Sequence, residues 1–156
     1  MKIMFLKCKK PIEKEIIKKY KNIQIIDSRN LAGEEHLKYA ILHAKKAFRR
    51  GKNISNNLLV EVVVRASCQR QIRKALQIFG IRENSREVAV FGDRIPIEIF
   101  SVYKCNKTKP SLNKEKIEKI KKVFKITDEE IRATRKREND AIIEIIKERI
   151  ALIEIE

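Results

Sequence analysis

Tryptophan is absent from this 156-residue chain, and glycine, proline and cysteine number four, three and three. Each scarcity excludes something. The four glycines are scattered, so no Walker loop, GxGxxG or GxSxG is present. Two histidines, His36 and His43, leave little from which to build a Ser–His–acid triad. Cys8, Cys68 and Cys105 are widely spaced, without a CxxC pair, which argues against a zinc site. An odd number of thiols with no export signal points to unpaired cysteines in a reducing cytoplasm. The start, MKIMFLKCKK, is too short for a signal peptide and reads as a first strand over Ile3–Leu6. No run of about 18 apolar residues occurs, so no membrane span is expected. Without repeats or a low-complexity linker, 43% hydrophobic content over 156 residues predicts one domain spanning 1–156.

Positive charge is abundant. The 37 Lys+Arg against 21 Asp+Glu give a net charge of +16. Residues 1–80 hold 19 against 6, net +13, and residues 81–156 hold 18 against 15, net +3. Abundant Lys, Glu and Ile also mark chains from hot, AT-biased genomes. Such bias spreads evenly along a chain, so the imbalance predicts a basic face for a polyanion in the first half.

The apolar pattern alternates strands and helices early and gathers helices late. A helix is expected from Pro11 to Tyr20, with Ile12, Ile16, Ile17 and Tyr20 on one face, then a strand over Ile23–Ile26. The next helix runs from about Gly33 to Arg50 and stops at Gly51, with Leu37, Ala40, Ile41, Ala44 and Phe48 buried. Leu58–Ala66 reads as a central strand, apolar on both sides. A helix over Gln69–Phe79 then turns Ile72, Ala75, Leu76 and Phe79 inward, with Gly80 and Ile81 in a Schellman closure. Glu87–Phe91 and Ile97–Tyr103 read as strands joined through GDRIP as a hairpin. Asn106–Leu112 is a polar connection, followed by helices at about 113–125 and 128–153. Thr127 and Glu130 form a capping box, and Asn139 marks a break. The fold class is therefore α/β (α+β): a central mixed sheet of about five strands flanked by helices, with 127–156 a helical C-terminal segment.

Catalytic candidates are weak. His36 and His43 lie seven residues apart, on one face with Lys46 and Arg50, and read as solvated. Cys68, at an expected strand-to-helix turn among arginines, is the one candidate nucleophile, but it lacks a base. Paired acids such as Glu34–Glu35 and Asp128–Glu130 suit first helical turns. No cofactor site emerges. The same turn is a better anion site, because helix N-termini present free N–H groups. Arg65, Arg70, Arg73 and Lys74 surround it, while Gln69 and Gln71 offer amides to base edges. A second basic face carries Lys38, Lys45 and Arg49, flanked by Lys46 and Arg50. The last segment, AIIEIIKERIALIEIE, is apolar over more than half its circumference. Ile146, Ile150 and Ile153 are candidates for a protein partner, with a strand-like tail as the alternative.

The stretches IDSRNLAGEEHLKYAILHAKKAF and VEVVVRASCQRQIRKALQIFGI, followed by VAVF, resemble the kinase-associated small subunit of the KEOPS complex. The resemblance rests on Asp27-x-x-x-Leu31-Ala32-Gly33, His36-Leu37, Arg70-Gln71-Ile72, and Ala75-Leu76 before Phe79-Gly80-Ile81, within roughly residues 23–100. It implies a non-catalytic archaeal-type adaptor in threonylcarbamoyladenosine modification of tRNA. Such a subunit binds and stimulates the complex's atypical small kinase/ATPase directly. It meets the remaining subunits indirectly and recruits tRNA through the 3′ CCA end. The family often has Gly or a small polar residue where Cys68 stands. The alternatives are a thiol-dependent enzyme using Cys68 and a general RNA-binding accessory protein.

Overall fold

The computed structural model describes residues 1–96 and 98–153. They pack as two compact units, one of Met1–Arg29 with Phe79–Lys109 and one of Asn30–Ile78 with Pro110–Glu156. The fold class is α+β, as the sequence predicts.

In the first unit, β1 (Lys2–Cys8), β2 (Ile23–Asp27), β3 (Glu87–Gly92) and β4 (Cys105–Lys107) form a sheet in the order β2-β3-β1-β4. Every pairing among the described residues is antiparallel, and the strands number four, not a mixed set of about five. The register sets Leu6 opposite Val88 and Ile25 opposite Val90. Because side chains alternate along a strand, one face collects Leu6, Cys8, Ile23, Ile25, Val88 and Val90. Ile12, just before α1 (Lys14–Lys19), packs on this face, and Ile16, Ile17 and Tyr20 lie against it. Ile99 of α5 (Glu98–Val102) and Tyr103 join them. Burying one such side chain contributes about 1.5–3 kcal/mol.

Two expectations fail in this unit. The strand over Ile97–Tyr103 begins at a residue outside the described ones; Glu98–Val102 is helical, with the Ser101 hydroxyl donating to the Glu98 carbonyl, and Tyr103 lies in the turn that follows. Pro96 precedes this helix, and proline suits a helix start better than a strand. GDRIP therefore joins a strand to a helix rather than closing a hairpin. The chain then reverses at Lys104 (φ 51°), and Cys105–Lys107, of which Asn106 and Lys107 were expected in a polar connection, becomes the edge strand beside β1. That register brings Cys8 opposite Cys105, where they form a disulfide across 97 residues of sequence. The expected three unpaired thiols reduce to one, Cys68. Heat-adapted organisms keep disulfides inside cells too, so the pairing does not specify a compartment.

The second unit is helical: α2 (Glu34–Arg49), α3 (Leu58–Ser67), α4 (Ile72–Phe79), α6 (Lys114–Phe124), α7 (Asp128–Ala133) and α8 (Glu138–Leu152). α2 ends as predicted. Gly51 is left-handed (φ 66°), its N–H donates to Phe48 O and the Lys52 N–H to Ala47 O, which is a Schellman closure. The strand expected at Leu58–Ala66 is α3. Asn57 accepts from the Leu59 and Val60 N–H groups, a helix N-cap. Glu61 and Arg65, four residues apart, pair at 2.8 Å inside the fold. A short apolar run does not by itself distinguish a buried helix from a strand. The cap and the i,i+4 pair decide it here.

The helix expected from Gln69 starts at Ile72, because Cys68 is left-handed (φ 58°) and Ser67 Oγ accepts from the Gln69 N–H. Ala75 and Phe79 are buried, whereas Leu76 is exposed. Gly80 is not left-handed, so no Schellman closure ends α4. The Thr127–Glu130 capping box is present. The late break falls at residues 134–137 with Arg135 left-handed, and Asn139 lies inside the first turn of α8. The tail alternative extends to residues 154–156, outside the described ones.

Both histidines, read as solvated, are buried. Nδ1 of His36 accepts from the Ala32 N–H at 3.0 Å, so the proton sits on Nε2 and is donated to Ala66 O at 2.8 Å. Burial pushes its pKa down to about 4, against an upward pull from Ala66. The native ring is neutral, while an unfolded ring titrates near 6.5. His36 thus contributes stability that is present above pH 6.5 and lost as pH falls toward 4, about 3 kcal/mol in all. Asp27 acts in a lower window. Burial raises its pKa, but bonds from Arg29 and Ser85 outweigh this and hold it below its usual value. Urea unfolding at pH 7, 5 and 4 is expected to show the loss above pH 4 in the native chain. In His36→Gln that part of the pH slope is expected to be absent.

Candidate functional site

The expected anion site changes once Leu58–Ser67 is a helix. It is a turn between two helices, not between a strand and a helix. Arg65 leaves it altogether. Its side chain is 1% exposed, with Nε on Glu61 and Nη2 donating to Lys52 O. The other Glu61 oxygen accepts from the Ile54 and Ser55 N–H groups, so the pair fastens the loop before α3. A buried charge is retained only with such partners. Arg70 stays exposed, but its Nη2 donates to Ile153 O at 2.6 Å, capping the end of α8.

Gln71, Arg73 and Lys74 remain exposed at the start of α4. No acid occupies that first turn. Two cations there face the positive end of the helix dipole, an unfavourable arrangement that a bound anion relieves.

Lys45 and Arg49 are exposed on α2, as expected. With Leu42, Phe48 and Leu58 they line a shallow cleft of about 320 Å³. The residues of the α3–α4 turn do not line it. Leu42 is 43% exposed, and Phe48, expected in the core, is only half-buried. The sequence signal for this cleft was the position of Leu42, one residue off the buried stripe. Lys38 pairs with Glu34 at the surface, an interaction worth little.

Ile146, Ile150 and Ile153 do not form an outward face. All three are buried within the second unit, at 0%, 0% and 4% exposure. α8 packs against α2, α3 and α7, which accounts for its wide apolar circumference. Among the described residues of α8, Leu152 is the large apolar side chain left exposed. Arg149 holds α8 to α6 and α7 through Phe124 O, Lys125 O and Glu130.

Cys68 has no nucleophilic setting. It caps the C-terminal end of α3, and burial drives its thiol up to about 12, with Arg149 pulling weakly the other way. A thiol so raised is neutral at physiological pH. Among the described residues, no cluster of His, Cys, Asp and Glu is placed to hold a metal ion, and no helix is long and apolar enough to cross a membrane.

The arginines of the turn therefore separate by role. Arg65→Met strands Glu61 without its counter-charge and is expected to cost about 3–5 kcal/mol in urea unfolding. Arg73→Ala is expected to stay within about 0.5 kcal/mol of the native chain, since its side chain is at the surface. Equal costs would contradict this assignment.

Two comparisons bear on identity. The family described as "Kinase binding protein CGI-121" matches residues 6–153. The chain is also 27% identical over 146 residues to "Regulatory protein Cgi121" of Methanocaldococcus jannaschii, covering 92% of this chain and 91% of that protein. A match across nearly the whole length, taking in both compact units, places this chain in the CGI-121 kinase-binding family.

Proposed function

We propose that this chain is a non-catalytic adaptor that docks on a small atypical kinase of a KEOPS-type complex, stimulates it, and brings tRNA to it by the 3′ CCA end. The family match over residues 6–153 carries the kinase part of this reading. The name of the archaeal relative, a regulatory protein, supports a role without chemistry of its own. The neutral Cys68 thiol and the buried His36 agree with that.

The surface favours a division of labour. Gln71, Arg73 and Lys74 suit a single-stranded RNA end: cations for phosphate, an amide for base edges. Kinase docking is better assigned to the Leu42–Phe48–Leu58 cleft than to the buried isoleucines of α8. The cleft offers exposed apolar area, rimmed by Lys45 and Arg49. Other subunits of the complex are then reached through the kinase.

Binding of intact tRNA, measured by filter retention across a salt series, is expected to weaken at least about tenfold when the CCA end is removed. The pair Arg73→Ala and Lys74→Ala is expected to lower the slope of log affinity against log salt by about 1–2. Equal affinity for intact and truncated tRNA would contradict the end-recruiting role.

A further inference from the structure

Net charge is even between the two compact units, unlike between the two halves of the sequence. The first unit holds 15 Lys+Arg against 7 Asp+Glu, net +8, and the second 22 against 14, also net +8. The two differ in how that charge is compensated. Among the described residues the second unit pairs Lys38, Lys119, Lys121, Lys136, Lys147 and Arg149 with carboxylates. In the first unit Arg29 pairs with Asp27. Among the described residues, none of this unit's lysines is seen paired with a carboxylate.

They are also concentrated. Residues 1–21 carry eight lysines and two glutamates. One end of the sheet, where β2 begins at Ile23 and β3 ends at Gly92, opens into a cleft of about 560 Å³. That size lies within the about 300–1,000 Å³ usual for small-ligand sites. Lys19, Tyr20, Lys21, Asn22 and Arg94 line it, with Glu98 as the one carboxylate. Lys2 stands opposite Gly92 in the register, at the same end of the sheet. None of Lys19, Lys21 and Arg94 pairs with a carboxylate among the described residues.

The cleft wall is set by backbone. Gly92 has φ 156°, and a Cβ there would meet Asn22 O at 2.4 Å and Ile23 Cα at 3.0 Å. A side chain at this point would push the β2 entry away and change the cleft's edge. Tyr20 contributes a ring that is only half-buried. The residue packs against the core cluster, while the Lys19 ammonium lies 5.7 Å from the ring centroid, over the ring. Lys19 is an exposed side chain, so a flat base can take its place over the ring. The displaced ammonium is then free for phosphate.

We propose that this cleft is a second anion site, one that takes a nucleotide with its base on Tyr20 and its phosphate among Lys19, Lys21 and Arg94. The ligand is a nucleotide unit of a single-stranded RNA or a free mononucleotide; the two share this chemistry. The site belongs to the first unit alone and does not rest on the tRNA-end reading.

The test uses the full chain and a fluorescein-labelled short single-stranded RNA that lacks a CCA end, read by anisotropy. The triple variant Lys19→Ala, Lys21→Ala, Arg94→Ala is expected to weaken binding at least about tenfold and to lower the salt slope by about 2. Tyr20→Leu is expected to cost about fivefold or more, with Tyr20→Phe close to the native chain, because stacking needs the ring and not the hydroxyl. Melting of each variant separates lost binding from lost folding, and Tyr20→Phe keeps the core contact. Displacement of the RNA by millimolar AMP would assign the cleft to free nucleotides, and its failure to RNA. Unchanged binding in the triple variant would overturn the site. So would an equal loss from Lys9→Ala with Lys10→Ala, two exposed lysines outside the cleft, or no RNA binding at all.

Discussion

The pair of Glu61 and Arg65 is the constraint on which the helical unit depends. Two unit charges taken out of water cost several kcal/mol each unless an opposite charge and further hydrogen bonds offset the loss of hydration. Here Glu61 accepts from Arg65 and from two backbone N–H groups, and Arg65 also donates to a backbone carbonyl. That arrangement needs the two residues one helical turn apart. It therefore commits an apolar, β-branched run to α3 and clamps the loop of residues 52–55 to it. His36 adds a second polar tie, joining Ala32 ahead of α2 to the last turn of α3. α2 and α3 are thus fixed by buried polar contacts as well as by apolar packing.

The exposed chemistry follows from this interior. With Arg65 turned inward, the α3–α4 turn presents Gln71, Arg73 and Lys74 rather than a ring of four cations. With α8 buried on three helices, its isoleucines are unavailable and the exposed apolar area shifts to Leu42, Phe48 and Leu58. Membership of a kinase-binding family is consistent with such a surface: a rigid helical scaffold carrying small basic and apolar patches. The neutral His36 and neutral Cys68 leave the unit without an activated nucleophile among the groups first considered for catalysis.

Much of the fold was legible in the sequence. Three strands, α2 with its Gly51 stop, and the Thr127–Glu130 box come from period, cap and turn chemistry that act locally. The misreadings share a cause. Leu58–Ala66 lacks polar–apolar alternation, so its helical state shows only through Asn57 and the Glu61/Arg65 spacing. The Cys8–Cys105 bond and the edge strand depend on register between segments 97 residues apart, which no local pattern encodes. The expected outward placement of Arg65 rests on its position beside a strand-to-helix turn, and that of the α8 isoleucines on the wide apolar circumference of the segment. Burial is decided by neighbours, and a basic or apolar side chain does not announce which side of a helix those neighbours occupy. The motifs that carry the family resemblance lie from the end of β2 into α2 and around α4, so they do not depend on the state of the segment between.

The proposed role is regulation of a kinase through an exposed surface, without chemistry of the chain's own. The direct measurement is ATP hydrolysis by the purified small kinase as the full chain is titrated in, beside the chain alone and a Leu42→Glu variant. The expected result is a saturable rise with the native chain, no hydrolysis by the chain alone, and a loss of stimulation in Leu42→Glu with its melting unchanged. A kinase rate indifferent to the native chain at saturating concentration, or turnover by the chain alone, would contradict it.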